Sequence, residues 1–346
     1  MLTKGIYIYG IVPNFYSTDM FRSLENSGVY AIAFQNIAAI VSDRESAHIN
    51  YSDRETLAHL LVHHQKTIEA IQSREFAMLI PMRLGTIVSS KKEVIKILAN
   101  GHDLMINTLK KIEYLTEIDL AVTWADFPGT LKEIANHPDI IGLKQQIQQS
   151  GIALTQADQV KVGMLLKEKL EEKNRSVELK IQESFSTISL DLIKHEVMDD
   201  QMLTNSAVLI KRNNIGQFEQ VINQLDEEYK GLLNFKLVGP LPCYSFYTIE
   251  VNELNPEHVA QAKKELGLPE ETSESEIKKA YLEKAKEFHP DAHLENADEE
   301  NFNRINKAYH TLLDYLASVR QSAKENVISL AKEKVIENLI LVKMKK

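Results

Sequence analysis

The sequence predicts an α+β protein with an all-helical C-terminal part, and three observations carry that prediction. β-rich and helical runs alternate through the first 250 residues. A polar joint, VNELNPE at 252–258, ends that pattern. Beyond it the apolar residues recur at helical spacing. A length of 346 residues allows two or three domains, and 44% apolar with 26% charged residues is the composition of a core-forming chain. Only 13 Gly and 9 Pro suggest long helices. No run of 18 apolar residues occurs, so no membrane helix and no membrane partner are expected. The opening MLTKGIYIYGIVP reads as a strand, not a signal peptide. One cysteine, Cys243, excludes an internal disulfide or a Cys-rich zinc site and fits a reducing cytoplasm. The net charge of −9 divides into −6 over 256–318, +4 over 319–346 and −7 over the rest. No nucleic-acid partner is expected of so acidic a chain, the basic tail apart.

In the first 115 residues, Ile6–Val12 is strand-like and 18–26 is a short helix with Thr18 or Asp19 as cap. Val29–Phe34 and Ile37–Ser42 are β-rich runs parted by Gln35-Asn36. Leu57, Leu60, Leu61, His64, Ile68 and Ile71 mark a helix over about 53–74. Residues 78–80 and 86–88 read as extended, and 91–114 as one helix. A second unit over 116–252 opens with the strand Ile118–Trp124. A charged helical stretch follows over about 130–197, with Leu165, Leu166, Leu170, Val177, Ile181 and Phe185 at helical spacing. Then come Ala207–Lys211 (strand), Gly216–Tyr229 (helix), Leu232–Val238 (strand) and Tyr244–Val251 (strand). The order describes two ferredoxin-like α+β lobes, the second with a helical insertion. No residue-level identity between the halves is strong enough to claim a repeat.

The clearest signal lies in LGLPEETSESEIKKAYLEKAKEFHPDAHLENADEENFNRINKAYHTLLD, residues 266–314. Ser273 with Glu276 makes a capping box. Ile277, Ala280, Tyr281, Lys284/Ala285 and Phe288 mark one helix face. His289-Pro290-Asp291 stops that helix, because proline removes a backbone donor. Phe302, Ile305, Ala308, Tyr309 and Leu312 mark the inner face of a second helix. In the leading LGL, IKKAY, F-HPD and F-x-x-INKAY-x-x-L, this segment closely resembles the J domain of DnaJ-type co-chaperones, over about 258–318. The resemblance implies docking on a DnaK-type chaperone and stimulation of its ATPase. It assigns the essential loop to His289, Pro290 and Asp291, and the basic helix face to Lys278, Lys279, Lys284 and Lys286. Glu274, Glu276, Glu283 and Glu287 balance those lysines, Lys284 replaces a usual leucine, and Ala292 stands where a lysine often follows. Weaker electrostatic docking is therefore expected. No Gly/Phe-rich linker or zinc module follows. The bland alternative is a hairpin that kept the fold and lost stimulation.

The first 250 residues hold no phosphate-binding glycine loop, nucleophile elbow or HExxH. His59 and His63 are spaced i,i+4, yet no third ligand follows at motif spacing, so they read as ordinary helix histidines and no metal or other cofactor is expected. Cys243 has no sequence-local base and reads as a structural thiol. Trp124 and the Tyr244/Phe246/Tyr247 group read as core. Arg83, alone among apolar neighbours, is a candidate for an ion pair tying the lobes together or for a client contact. IYIYGIV at 6–12, HHQ at 63–65, LIPMRLGT at 79–86 and VGPLPCYSF at 238–246 are together similar to the gas vesicle accessory proteins GvpL/GvpF, over about 4–251. Cys243 stands where a second proline is common. The resemblance implies two α+β lobes with a helical spur. It also implies a cytoplasmic, gas-vesicle-associated assembly factor, not an enzyme, that binds the hydrophobic shell protein and works with other gas vesicle accessory proteins. The alternatives are a J-domain co-chaperone for another client, or a minor structural component of the vesicle. The tail, 322–346, carries a broad apolar stripe flanked by lysines. It reads as an amphipathic helix packed on its own protein, the alternatives being a shell contact or a membrane surface.

Overall fold

A computed structural model describes residues 5–15, 28–44, 54–72, 78–149, 155–288, 299–323 and 326–345. The chain divides into two compact units, one of 1–113 with 247–346 and the other of 114–246. The expected short helix at 18–26 lies outside the described residues.

In the first unit β1 (Gly5–Pro13) is the central strand. It pairs antiparallel with β3 (Ile37–Arg44), which pairs in turn with β2 (Val29–Phe34). Two short strands, β4 (Ile80–Pro81) and β5 (Ile87–Val88), take its other edge. All nine residues of β1 are buried, so the Ile/Tyr alternation does not divide core from solvent. Tyr7 and Tyr9 reach α1 (Arg54–Gln72). The single helix expected over 91–114 is two: α2 (Lys91–Asn100), capped by Ser90, and α3 (His102–Ile112).

The tail differs most from expectation. The helix expected over 322–346 is instead β12 (Val327–Ser329), α11 (Lys332–Glu337) and β13 (Ile340–Met344), α11 being the last of the α-helices among the described residues. The β-rich ends of the tail find strand partners far back in the sequence. β12 pairs with β11 (Glu271–Ser273) and β13 with β10 (Ile249–Glu253), which also replaces the strand expected over 244–251. A nonlocal ladder outweighs a local helical stripe here, because it satisfies the same backbone groups and buries β-branched side chains as well. β10 belongs to the first unit. Met82 bridges Ile249, and the Arg83 N–H donates to the Ile249 carbonyl at 2.8 Å.

Polar side chains hold the tail down. Gln321 donates to the Val342 carbonyl (2.5 Å) and accepts from the Val342 N–H (3.1 Å), as a neighbouring strand would. Asn100 donates to the Ile340 carbonyl at 2.9 Å, and Ser318 to that of Asn338 at 2.6 Å. Gly101, between α2 and α3, lies where β13 crosses: a methyl there would sit 2.7 Å from Val342 Cγ1 and 2.8 Å from Met105 Cε. Gly101→Ala is therefore expected to cost about 1–3 kcal/mol by overpacking. Gly163→Ala, inside a helix with nothing near its Cβ position, should instead gain up to about 1 kcal/mol. Thermal unfolding of the two variants checks the contrast.

The second unit is built on β6 (Leu115–Trp124), with β8 (Met202–Lys211) then β7 (Ser189–Lys194) on one side and β9 (Leu233–Leu241) on the other, all antiparallel. The helical insertion consists of α4 (Phe127–Ala135), α5 (Pro138–Gln149) and α6 (Gln156–Phe185). It ends before 197, because 189–194 is the edge strand β7. Thr155 and Asp158 form a capping box at the start of α6. Along α6, Leu170 packs with Ile134 and Ile140, while Val177, Ile181 and Phe185 join the sheet core with Trp124 and Phe218 of α7 (Ile215–Tyr229). Both units therefore follow one plan. The first strand is central, the third strand and then the second lie on one side, and the strand after the next helix lies on the other.

Candidate functional site

The C-terminal helices build their hairpin from local signals. α8 (Pro256–Leu266) starts at Asn255, whose side chain accepts from the Glu257 N–H at 2.8 Å, and ends at Gly267 with φ of 68°. α9 (Glu274–Phe288) starts with the capping box: the Ser273 N–H donates to Glu276 at 2.8 Å, and the Glu276 N–H to the Ser273 hydroxyl at 3.4 Å. Those Ser273 hydrogen bonds hold the Glu276 carboxyl below its usual range. α10 (Glu299–Ala323) packs beside both helices. Ile277, Leu312, Tyr315 and Leu316 are buried in one core, and the Tyr281 and Tyr309 rings stack at 4.2 Å. Arg304–Glu265 (3.0 Å) and Arg320–Glu274 (2.8 Å) link the helices at the surface. Ile328, Leu330 and Val335 of the tail belong to this same core.

His289, Pro290 and Asp291 lie outside the described residues. The four lysines do not share one face. Lys278 and Lys286 lie two helical turns apart with half-exposed Leu282 between them, and Lys279 sits seven residues before Lys286, so these three form one exposed ridge. Lys284 is set apart: it falls seven residues after buried Ile277 and four before Phe288, on the packed side, and is itself half-buried. The position where leucine is usual is thus a packing position, which corrects its assignment to the basic face. Glu276 is engaged in the cap and Glu274 with Arg320, which leaves Glu283 and Glu287 as the ridge's acidic neighbours.

Arg83 is more than half exposed and pairs with Glu250 of β10. Its acceptor thus comes from the strand that leads into the helical hairpin. The histidines separate. His59 is exposed beside Glu55, His63 Nε2 lies 3.1 Å from Tyr9 Oη, and His64 Nδ1 lies 2.8 Å from Tyr7 Oη. Burial, then the charge of His63, pushes His64 down to about 4. Among the described residues no group of three or more His, Cys, Asp or Glu side chains is arranged to hold a metal. No described helix is long and apolar enough to cross a membrane.

Sequence reading missed Glu117, which is 1% exposed on β6 and accepts from both the N–H and the hydroxyl of Ser245 at 2.8 Å. Burial pushes it up to about 7 against those hydrogen bonds. Burial also drives the nearby Cys243 thiol up to about 12. A carboxyl raised in the folded state stabilises fully below its unfolded value of 4.5, and that contribution fades as pH rises toward 7. Glu117→Gln is therefore expected to melt like the parent near pH 4.5 and to gain up to about 3 kcal/mol by pH 8. Melting curves across that range check it. His64 acts with the opposite sign, its contribution falling as pH drops from 6.5 toward 4.

Two lobes of one topology, joined to a capped helical hairpin with an exposed lysine ridge, define an α+β protein carrying a J domain. Residues 5–248 match the family described as gas vesicle synthesis protein GvpL/GvpF, and residues 264–317 match the DnaJ domain. The chain belongs to the GvpL/GvpF family and bears a C-terminal J domain. Gas vesicle protein F of Nostoc sp. (strain PCC 7120 / SAG 25.82 / UTEX 2576) is 22% identical over 250 residues, which is 72% of this chain and 100% of that protein. The crystal structure of GvpF from Anabaena sp. PCC7120 superposes with a TM-score of 0.59 at 21% identity, covering 70% of this chain and 97% of that one, and so shares the fold. The chaperone protein DnaJ of Caldicellulosiruptor bescii is 50% identical over 50 residues, 14% of this chain and 13% of that protein.

Proposed function

We propose that this chain is a gas vesicle assembly factor, not an enzyme, that holds the hydrophobic shell protein and recruits a DnaK-type chaperone to it. One observation carries the reading: a GvpL/GvpF region and a J domain occupy one polypeptide, with the ridge Lys278, Lys279, Lys286 exposed. A protein that lines a gas space must present large apolar faces before assembly, and such faces aggregate unless covered. A J domain on the same chain raises the effective concentration of chaperone beside the bound client. The proposed docking surface is the ridge with His289, Pro290 and Asp291. Lys284 supports the hairpin from its packed side.

Single-turnover ATP hydrolysis by the host's DnaK-type chaperone tests recruitment. The parent chain should accelerate hydrolysis at least about tenfold, and His289→Gln should return it to the basal rate. Equal rates with the two chains would sink recruitment.

A further inference from the structure

Among the strands of the first unit that have a single strand neighbour are β5 and β10. β5 pairs with β1, and β10 with β13; among the described residues neither carries a strand along its other edge beyond the single Met82–Ile249 bridge. At that bridge the GvpF-like sheet and the β10–β13 pair are stitched together, with the Arg83 N–H bonded to the Ile249 carbonyl. Past it the strands part, and a groove of about 810 Å³ opens between them. Ile87 and Val88 of β5 line one wall and Val251 of β10 the other, and Ile97, Ile336 and Ile340 share the lining with the polar Thr86, Ser89 and Glu253.

Two features select the occupant. First, of the four charged groups at the rim, Arg83, Lys96 and Glu93 are engaged within the protein, and the fourth, Glu253, is an exposed carboxylate. Arg83 pairs with Glu250, Lys96 donates to the Glu337 carbonyl at 2.5 Å, and Glu93 accepts from the N–H and hydroxyl of Ser89. An anionic ligand would have to displace these contacts to reach a cation, and would meet Glu253 besides. Second, both walls carry open strand edges, which offer backbone donors and acceptors to an extended chain. The far wall, residues 251–253 and 336–340, lies outside both family matches, so the groove comes from the way this chain joins its two parts.

We propose that this groove receives an extended segment of the client, free of acidic side chains, as an added strand between β5 and β10, making one continuous sheet. The identity of the client rests on the reading above; the form in which it is bound rests on the groove. Because β10 and β13 bracket the J domain, the segment is held beside the chaperone-recruiting helices.

The test uses the full chain and a blocked, fluorescein-labelled peptide of about eight alternating Thr and Val residues, a typical strand length. Saturable binding is expected, about tenfold weaker when alternate amides are N-methylated, since that removes edge hydrogen bonds while keeping apolar contact. Hydrogen exchange at 87–88 and at 251–253 should slow about tenfold on saturation. Ile336→Arg, at a half-exposed lining position, should abolish binding, whereas Met164→Arg on α6 should not. No saturable binding, equal binding of the N-methylated peptide, or protection missing from either strand overturns the groove. Shell protein kept soluble equally well by the Ile336→Arg chain also overturns it and leaves client holding intact. A parent chain that binds the peptide but not the shell protein overturns client holding and leaves the groove standing.

Discussion

Removal of residues 326–346 is expected to unfold the J-domain half of the first unit. The tail supplies Ile328, Leu330, Val335, Leu341 and Val342, all at most 5% exposed. At about 1.5–3 kcal/mol for each fully buried aliphatic side chain, their loss is on the order of 10 kcal/mol, comparable with the whole stability of a domain. Polar partners go with them. The Tyr315 hydroxyl loses the Ser329 carbonyl, and Gln321 loses both bonds to Val342. Buried polar groups left without partners add to the cost. Size-exclusion chromatography should show aggregate, and far-ultraviolet circular dichroism should lose the cooperative transition of this part. Ile328→Ala grades the effect, at about 2–5 kcal/mol. A truncated chain that stays monomeric and melts like the parent would show that the tail is dispensable to the fold.

Reversal of the lysine ridge is expected to remove chaperone stimulation while leaving the fold. Lys278→Glu, Lys279→Glu and Lys286→Glu together change the local charge by about six units on one exposed surface. Opposite charge steers association, and like charge on one face suppresses it. Stimulated ATP hydrolysis should fall at least about tenfold, toward the basal rate. The helix should lose only a few tenths of a kcal/mol per like-charge pair created with Glu274, Glu276 or Glu283 at i±3 or i±4. Stimulation by the parent should itself weaken as salt rises, because exposed charges are screened. Lys284 separates docking from packing. On the packed side with Ile277 and Phe288, Lys284→Leu should raise the melting temperature and keep stimulation within about twofold of the parent. If Lys284→Leu instead abolished stimulation, Lys284 would belong to the docking surface after all.

What was legible in the sequence was what local chemistry determines. The Ser273–Glu276 cap and the Ile277, Tyr281, Leu312 pattern each need only a few neighbouring residues, and the hairpin follows from them. The alternating runs of the first lobe gave β1, β2 and β3 for the same reason. The tail was misread because Val327–Ser329 and Ile340–Met344 become strands only in the presence of β11 and β10, far away in the chain. β7 was hidden behind a thirty-residue helix and shows itself only beside β8. Gly101 gave no signal, since the reason for it is the passage of Val342. Lys284 did leave a trace: it fell within the apolar face of its helix, and that periodicity was a better guide than its charge. The groove between β5 and β10 was invisible, because its walls come from segments that no local pattern connects.

The most direct measurement of the central claim follows the client itself. Labelled shell protein is diluted from denaturant into the full chain, a tagged DnaK-type chaperone is added with ATP, and the label recovered on the chaperone is counted. The account predicts that the parent chain keeps the shell protein soluble and passes it to the chaperone only with ATP, while His289→Gln keeps it soluble but passes none. Shell protein that aggregates as fast with the chain as without it, or that reaches the chaperone equally with parent and variant, would contradict the account.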